Sequence, residues 1–438
     1  MLSSEQNLLV TRTGPGTPCG ELMRRCWQPA ALVEELPDNR PLRALRLLGE
    51  DLVLFRDEQG RYGLIDRRCP HRGTDLSFGR LEDGGLRCPL HGWLMDTGGN
   101  CLEQPAEPPG STFHEKVRTT AYPCAERNGI VFAYLGPGEP PALPALDCFA
   151  APEPYTFAFK GFIDCNWLQA LEVGIDPSHA SFLHRFFEDE DPAEGYGQQF
   201  RARTSDPDTP VTKIMRDFAC PRIEVEHTDY GLRIFALREL DEARTHVRVT
   251  NLLFPHGIVI PLSDDMTLTQ WHVPVDDRSC WWYAIFFAFR EPVDKALMRA
   301  QRLELYELPD YMPRKNRANN YGYDPEEQRT QTYTGMGRDI NVHDQWAVES
   351  MGVLQDRSIE HLGASDKAII ANRRLLIEAI AELGRGAVPS LVAGTGGTGE
   401  IRGPAAIDTM APAEDWQGAW KAHDLSRREQ SDWALSPW

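Results

Sequence analysis

Between residues 41 and 66 the chain sets short apolar runs between tight polar breaks, Gly-Glu-Asp at 49–51 and Asp-Glu-Gln-Gly at 57–60. Runs this short between turn-formers predict successive strands. The pattern resumes in NGIVFAYLG (128–136) and stops at PGEPPALPALD (137–147), where proline density ends regular structure. A small all-β unit is therefore expected, with a boundary near 145. Past it, GFIDCNWLQALEVGIDPSHASFLHRFF (161–187) has helical spacing from Asn166, and Gln169 three residues on has the position of a capping-box partner. The runs at 221–238, 244–260, 267–275 and 280–290 are rich in Val, Ile, Tyr, Phe and Trp, as an antiparallel sheet requires. Helical periodicity returns at 344–356 and 365–383, the second opening at Ser365 and closing at Gly384. The tail from Pro404 reads as irregular and partly polar. The fold class is α+β.

A length of 438 residues agrees with at least two cores. No apolar run approaches the ~18 residues of a membrane span, and the N-terminus lacks the pattern of an export signal, so a cytoplasmic protein without a membrane segment is expected. The formal charge of −19 repels polyanions and argues against nucleic acid as a partner. An anionic substrate would need a local basic pocket. Ten cysteines in a large chain of this kind are mostly buried apolar residues. Cys69 and Cys88 stand apart, each two or three residues from a histidine among turn-formers.

Those two belong to CPHRGTDLSFGRLEDGGLRCPLHGW (69–93), in which C-x-H and C-x-x-H phrases are separated by sixteen residues. Four such ligands can bind zinc, or a two-iron, two-sulfide cluster with Cys69 and Cys88 on one iron and His71 and His91 on the other. Zinc knuckles usually pair Cys with Cys and His with His. Here each loop supplies one of each, which suits a rhombic cluster gripped from two hairpin tips, and Pro70, Gly73, Pro89, Gly92 and Trp93 flank them alike.

With GPGTPCGELMRRCWQP (14–29), these phrases resemble the Rieske non-haem iron aromatic-ring oxygenases, in particular their phthalate dioxygenase-like group, over residues 14 to 385. Cys19 and Cys26 depart from the Met and Tyr of that pattern, a change of packing only. The resemblance implies an all-β Rieske iron–sulfur domain and a helix-grip catalytic domain with an antiparallel sheet around a mononuclear Fe(II). The corresponding division is an N-terminal segment 1–40, a Rieske [2Fe-2S] domain 41–145, a catalytic domain 146–390 and a tail 391–438. Homotrimers or hexamers are implied as the assembly.

DPSHASFLH supplies Asp176, His179 and His184, and a 2-His-1-carboxylate set leaves open positions on Fe(II). On an ideal helix the two histidines lie about 140° apart, so a π-bulge is expected to realign them. INVHDQWAVESMG offers His343, Asp344 and Glu349. The resemblance points to Asp344 as the carboxylate ligand, while an Asp at that position can also cap the helix through Trp346 or Ala347 N–H. By resemblance Asp176 is a bridge, joining His179 to a cluster histidine of the neighbouring subunit, preferably His91 rather than His71; a ligating imidazole gains from a carboxylate on its other nitrogen.

Gly394-x-Gly396-x-x-Gly399 matches the dinucleotide fingerprint in letters, but Gly403-Pro404 leaves no room for the helix the motif needs. Electrons must then come from elsewhere. The resemblance implies an NADH-dependent flavin/iron–sulfur reductase, with O2 and an aromatic carboxylate (phthalate, isophthalate, halobenzoate or phenoxybenzoate type) as substrates and a cis-dihydrodiol as product. Monooxygenation or oxidative demethylation is the alternative on the same scaffold. A Rieske electron-transfer protein would need only the first four ligands. For the substrate carboxylate, Arg248 on HVRVTNLLFP is the first candidate and Arg203 the second, since a guanidinium fork binds carboxylate bidentately.

Overall fold

The computed structural model describes residues 1–188, 211–392 and 403–434. The apolar runs between 42 and 66 form strands Leu42–Leu47, Glu50–Arg56 and Tyr62–Asp66, joined by Ala121–Tyr122 into a four-stranded antiparallel sheet. A second four-stranded sheet of short strands, Arg80–Glu82, Gly85–Arg87, Leu94–Met95 and Cys101–Glu103, adjoins the two Cys/His loops. Val53, Phe55, Ile65, Leu76, Leu86 and Met95 fill one core, to which the Cys69 and Cys88 side chains also belong. The apolar run around 130 joins a different sheet. Ile130–Ala133 lies between Gln28–Leu32 and Cys124–Arg127, and Phe132 stacks edge-on to Trp271 of strand Met266–Pro274, so this layer belongs to the large core. Before Gln28 the N-terminal segment folds as helices Ser4–Thr11 and Pro18–Arg24, with Cys19 and Cys26 buried in that core.

The large sheet runs Thr156–Ile163, Cys280–Ala288, Met266–Pro274, Gly257–Pro261, Arg244–Leu253, Gly231–Glu239, Arg222–Thr228, antiparallel throughout. Helix Trp167–Gly174 crosses it, capped by Asn166, whose side chain accepts from Leu168 N–H. Gln169 is not the partner of a capping box. Its amide instead reaches the carbonyls of Val348 and Gly352, fastening this helix to the end of Ile340–Ser350.

Two sequence expectations are corrected here. The helix expected over the iron-histidine segment ends at Gly174, because Pro177 has no N–H to continue it and biases Asp176 away from helical backbone. The tail from Pro404 is regular: strand Ile407–Pro412 and helix Trp416–Glu429. The strand pairs with residues 244–249 of Arg244–Leu253, the stretch that Gly257–Pro261, which takes only 251–253, leaves open. Trp416 and Trp420 of the helix pack on Phe235, and Arg428 joins buried Asp424 at 2.8 Å to Asp147 at 3.0 Å. The glycine fingerprint at 394–399 and Arg203 lie outside the described residues. No described helix is long and apolar enough to cross a membrane.

Candidate active site

The two Cys/His loops are built on one backbone plan. Cys69 N–H donates to Thr74 O and Gly73 N–H to Cys69 O, both at 2.8 Å; Cys88 N–H donates to Trp93 O at 2.8 Å and Gly92 N–H to Cys88 O at 3.0 Å. Each loop therefore closes at its fourth residue after the cysteine, where Gly73 and Gly92 take φ of +78° and +75°, a conformation costly for any residue with a Cβ. Both thiols are buried at the loop bases. The imidazoles of His71 and His91 face each other edge-on at 4.6 Å, and Trp93 stacks on His71 at 4.5 Å. Burial and the neighbouring Cys88 push the Cys69 thiol up to about 11. His91 Nδ1 is buried with no hydrogen-bond partner. A buried bare nitrogen opposite paired thiols fits a two-iron cluster, with Cys69, Cys88, His71 and His91 as the groups that could hold it.

The second constellation forms where the chain breaks after Gly174. His179 begins a single 3-10 turn, His179–Ser181, and His184 follows another turn later, so the two imidazoles converge through irregular backbone, with no π-bulge. Across from them, helix Ile340–Ser350 is capped by Asp339, which accepts from Asn341 N–H. Asp344 is thus in the second turn and is not the cap. Its Oδ1 stands 3.2 Å from His184 Nε2 and 3.6 Å from His179 Nε2, and the two Nε2 atoms are 3.2 Å apart. Ligands at right angles on an ion ~2.1 Å away stand about 3 Å apart, so this triangle is the right size for one metal.

The hydrogen bonds decide which atoms carry protons. His179 Nδ1 faces the main-chain carbonyl of Asp176, which can only accept, so the proton is on Nδ1 and Nε2 is bare. His343 Nε2 donates to Gly337 O at 2.8 Å, leaving its Nδ1 to accept from His184 Nδ1–H at 3.4 Å, and His184 Nε2 is bare as well. Asp344 Oδ1 is buried without a hydrogen-bond donor. Burial lowers His179 and His343, favouring neutral rings. Three lone-pair donors converge with no hydrogen between them, an arrangement that a cation stabilises. The set fits Fe(II), and among the described residues these three form the cluster with metal-binding spacing.

They open onto a cavity of about 270 Å3, near the small end of small-molecule sites. Ile258, Ile260, Leu268, Trp282 and Phe286 give it apolar walls, with Arg248, Gln270 and His272 among its polar groups. Arg248 reaches this wall with its guanidinium already engaged: Nη1 on Asp408 and Nη2 on Pro261 O at 3.0 Å. Asp176 also lines the cavity. Its Oδ1 accepts from Ser178 N–H at 2.8 Å, and within this chain its main-chain oxygen, in place of the expected carboxylate, holds His179. Sequence reasoning did not assign the relay role of His343, although it is adjacent to Asp344 in INVHDQW, and gave no signal for Asp408.

Comparisons with known proteins agree with this construction. Residues 26–123 match the Rieske [2Fe-2S] domain and residues 133–432 the LigXa C-terminal domain like family. The oxygenase subunit of phthalate 4,5-dioxygenase from Pseudomonas putida is 38% identical over 427 residues, covering 93% of this chain and 91% of that one. The oxygenase subunit of 5,5'-dehydrodivanillate O-demethylase from Sphingobium sp. is 33% identical over 406 residues, 90% of this chain and 84% of the other. The solved structure of the Pseudomonas putida CBB5 NdmA QL mutant with theobromine shares the fold, with a TM-score of 0.59 at 21% identity over 86% of this chain and 96% of its own. With a Rieske domain ahead of a catalytic domain that gathers two histidines and an aspartate, the chain belongs to the Rieske non-haem iron oxygenases, as an oxygenase subunit carrying a [2Fe-2S] cluster and a mononuclear iron.

Proposed function

We propose that this chain is the terminal oxygenase of a multicomponent system that dihydroxylates an aromatic carboxylate, receiving electrons from an NADH-dependent flavin/iron–sulfur reductase and working as a homotrimer or hexamer. The supporting observation is an apolar cavity of about 270 Å3, lined by Arg248, onto which three proton-free donor atoms open, in a chain 38% identical to a phthalate 4,5-dioxygenase subunit. Cys69, His71, Cys88 and His91 would hold the cluster, and His179, His184 and Asp344 the iron. When bound, the cluster supplies electrons and the iron binds and activates O2. Overall, one ring, one O2, two electrons and two protons give one cis-dihydrodiol, with NADH the electron source.

The chain's own groups do the rest. The N–H groups of Arg248 not used on Asp408 and Pro261 pair with the substrate carboxylate and fix the ring's orientation. The apolar wall of Ile258, Ile260 and Leu268 excludes water around the ring. Asp176 O and His343 Nδ1 keep both imidazoles in the tautomer that presents Nε2. Oxidative demethylation is the second reading, favoured by the 33% identity to an O-demethylase subunit. Turnover of phthalate isomers, halobenzoates, phenoxybenzoates and methoxybenzoates with a surrogate reductase under labelled O2 separates them: two labels in a ring diol are expected, and release of formaldehyde with a phenol that keeps its unlabelled ether oxygen overturns dihydroxylation.

A further inference from the structure

The residue opposite Arg248 in the sheet comes from the tail. In the pairing of Ile407–Pro412 with Arg244–Leu253, Arg248 and Asp408 are direct partners. His246, two residues before Arg248, projects from the same face. The Asp408 carboxylate, 8% exposed as a residue, takes Arg248 Nη1 on one oxygen and His246 Nε2 on the other. Among the described residues His246 Nδ1 is buried with no partner, so Nε2 is the nitrogen that presents a proton to the carboxylate. On the next strand Arg238, opposite His246 in register, is 1% exposed. It donates to Phe218 O at 3.0 Å, to Pro177 O at 3.4 Å and to Ser181 Oγ at 3.3 Å, while Nη1 is buried without a partner. Burial pulls its pKa down to about 10, with Asp408 opposing and Arg248 adding to the shift. One carboxylate therefore stands among two guanidiniums. Of these side chains, Arg248 lines the cavity.

We infer that Asp408 is a positioning residue that sets the specificity of the cavity: it holds Arg248 at the wall and cancels one guanidinium charge, limiting affinity for an aromatic carboxylate without affecting an uncharged ring. This rests on the carboxylate reading above. A ligand carboxylate on the far side of the Arg248 guanidinium would lie on the order of 7 Å from Asp408, where at an effective dielectric of ~20 a unit charge changes affinity some tens-fold. Asparagine keeps the shape of Asp408, can still accept from Arg248, and leaves the backbone ladder of the strand intact.

The test is calorimetric titration of the holoenzyme with benzoate and with its uncharged isostere benzamide, in wild type, Asp408→Asn, Arg248→Met and the double variant, with melting temperature and cluster absorption recorded for each. Asp408→Asn should tighten benzoate tenfold or more and leave benzamide within about twofold. Arg248→Met should lower the benzoate-to-benzamide affinity ratio, and the gain from Asp408→Asn should vanish in the double variant. Asp408→Ser, which removes the charge without an amide, gives a second reading if the asparagine variant does not fold. Equal shifts for both ligands, weaker benzoate binding in Asp408→Asn, or a gain that survives without Arg248 would overturn the inference alone. An unchanged ratio in Arg248→Met would overturn the carboxylate reading at this residue and the inference with it.

Discussion

At the scale of single residues, the site depends on where protons are kept as much as on which side chains converge. His343 does not reach the metal-sized triangle, yet its Nδ1 accepts the proton that would otherwise let His184 present N–H in the wrong direction. His343→Phe keeps a ring in that buried place and removes the acceptor. Loss of such an outer partner typically weakens metal affinity 10–100-fold, so iron per chain after dialysis against a chelator should fall while the visible absorption of the cluster is unchanged. Full iron retention would show that His184 needs no partner. The sequence presented His343 and Asp344 side by side, and the cluster phrases were equally plain because cysteine, histidine and glycine recur there at fixed offsets. Asp344 as cap or ligand was not separable in one dimension; the cap is excluded because Asp339 caps the helix five residues earlier. The contact of Asp176 with His179 was legible only in part, since a main-chain oxygen leaves no mark in a sequence.

At the scale of elements, strands were easily read and broken helices were not. The four apolar runs between 221 and 290 became six strands because each is β-branched or aromatic and lies in a sheet buried on much of both faces. The tail helix escaped the same method for a physical reason: its buried positions are Trp416, Trp420, Asp424, Arg427 and Arg428, and three of those five are charged residues that a hydrophobic period does not count. Buried ion networks also fasten helix Trp167–Gly174, from which the histidine segment hangs. Glu172 accepts from Arg357 at 2.9 Å and from Arg373 at 2.5 Å, tying that helix to Lys367–Gly384. Burial alone would raise the Glu172 pKa, but the two guanidiniums outweigh it and hold it below the usual carboxylate range. A depressed folded-state pKa contributes stability that is present above the unfolded value, ~4.3, and is lost as pH falls through the folded value. Glu172→Gln should therefore be less stable at pH ~7 by about 3–5 kcal/mol, as expected for breaking a buried pair. The difference between the two proteins should shrink as pH drops below ~4. Denaturant unfolding at both pH values checks this; an undiminished gap at low pH would remove the charge pairing as its cause.

For the whole molecule, the question is how electrons placed in one domain reach the other. The Rieske loops and the iron-site cavity are built on separate cores, and the imidazoles of His71 and His91 are both partly accessible at the tip of their domain. Asp176 is suited to meet such a tip: it lies in the cavity wall, its main-chain oxygen holds His179, and its carboxylate accepts from Ser178 N–H. If that carboxylate receives a cluster histidine from a neighbouring subunit, Asp176→Asn should separate two functions that reside in one residue. Iron should remain, because the main-chain carbonyl that fixes His179 is untouched and the proposed ligands His179, His184 and Asp344 are all unchanged. Dithionite should still reduce the cluster. Reoxidation of the reduced enzyme in a single turnover with substrate and O2 should slow by orders of magnitude, since the amide keeps the shape but not the charge that orients and stabilises the facing imidazole. Dilution or mild denaturant that dissociates the oligomer should impose the same block on the unaltered chain with both metal centres intact. Unimpaired reoxidation in the variant would exclude Asp176 as the bridge, and loss of iron would make its carboxylate a support of the metal site itself.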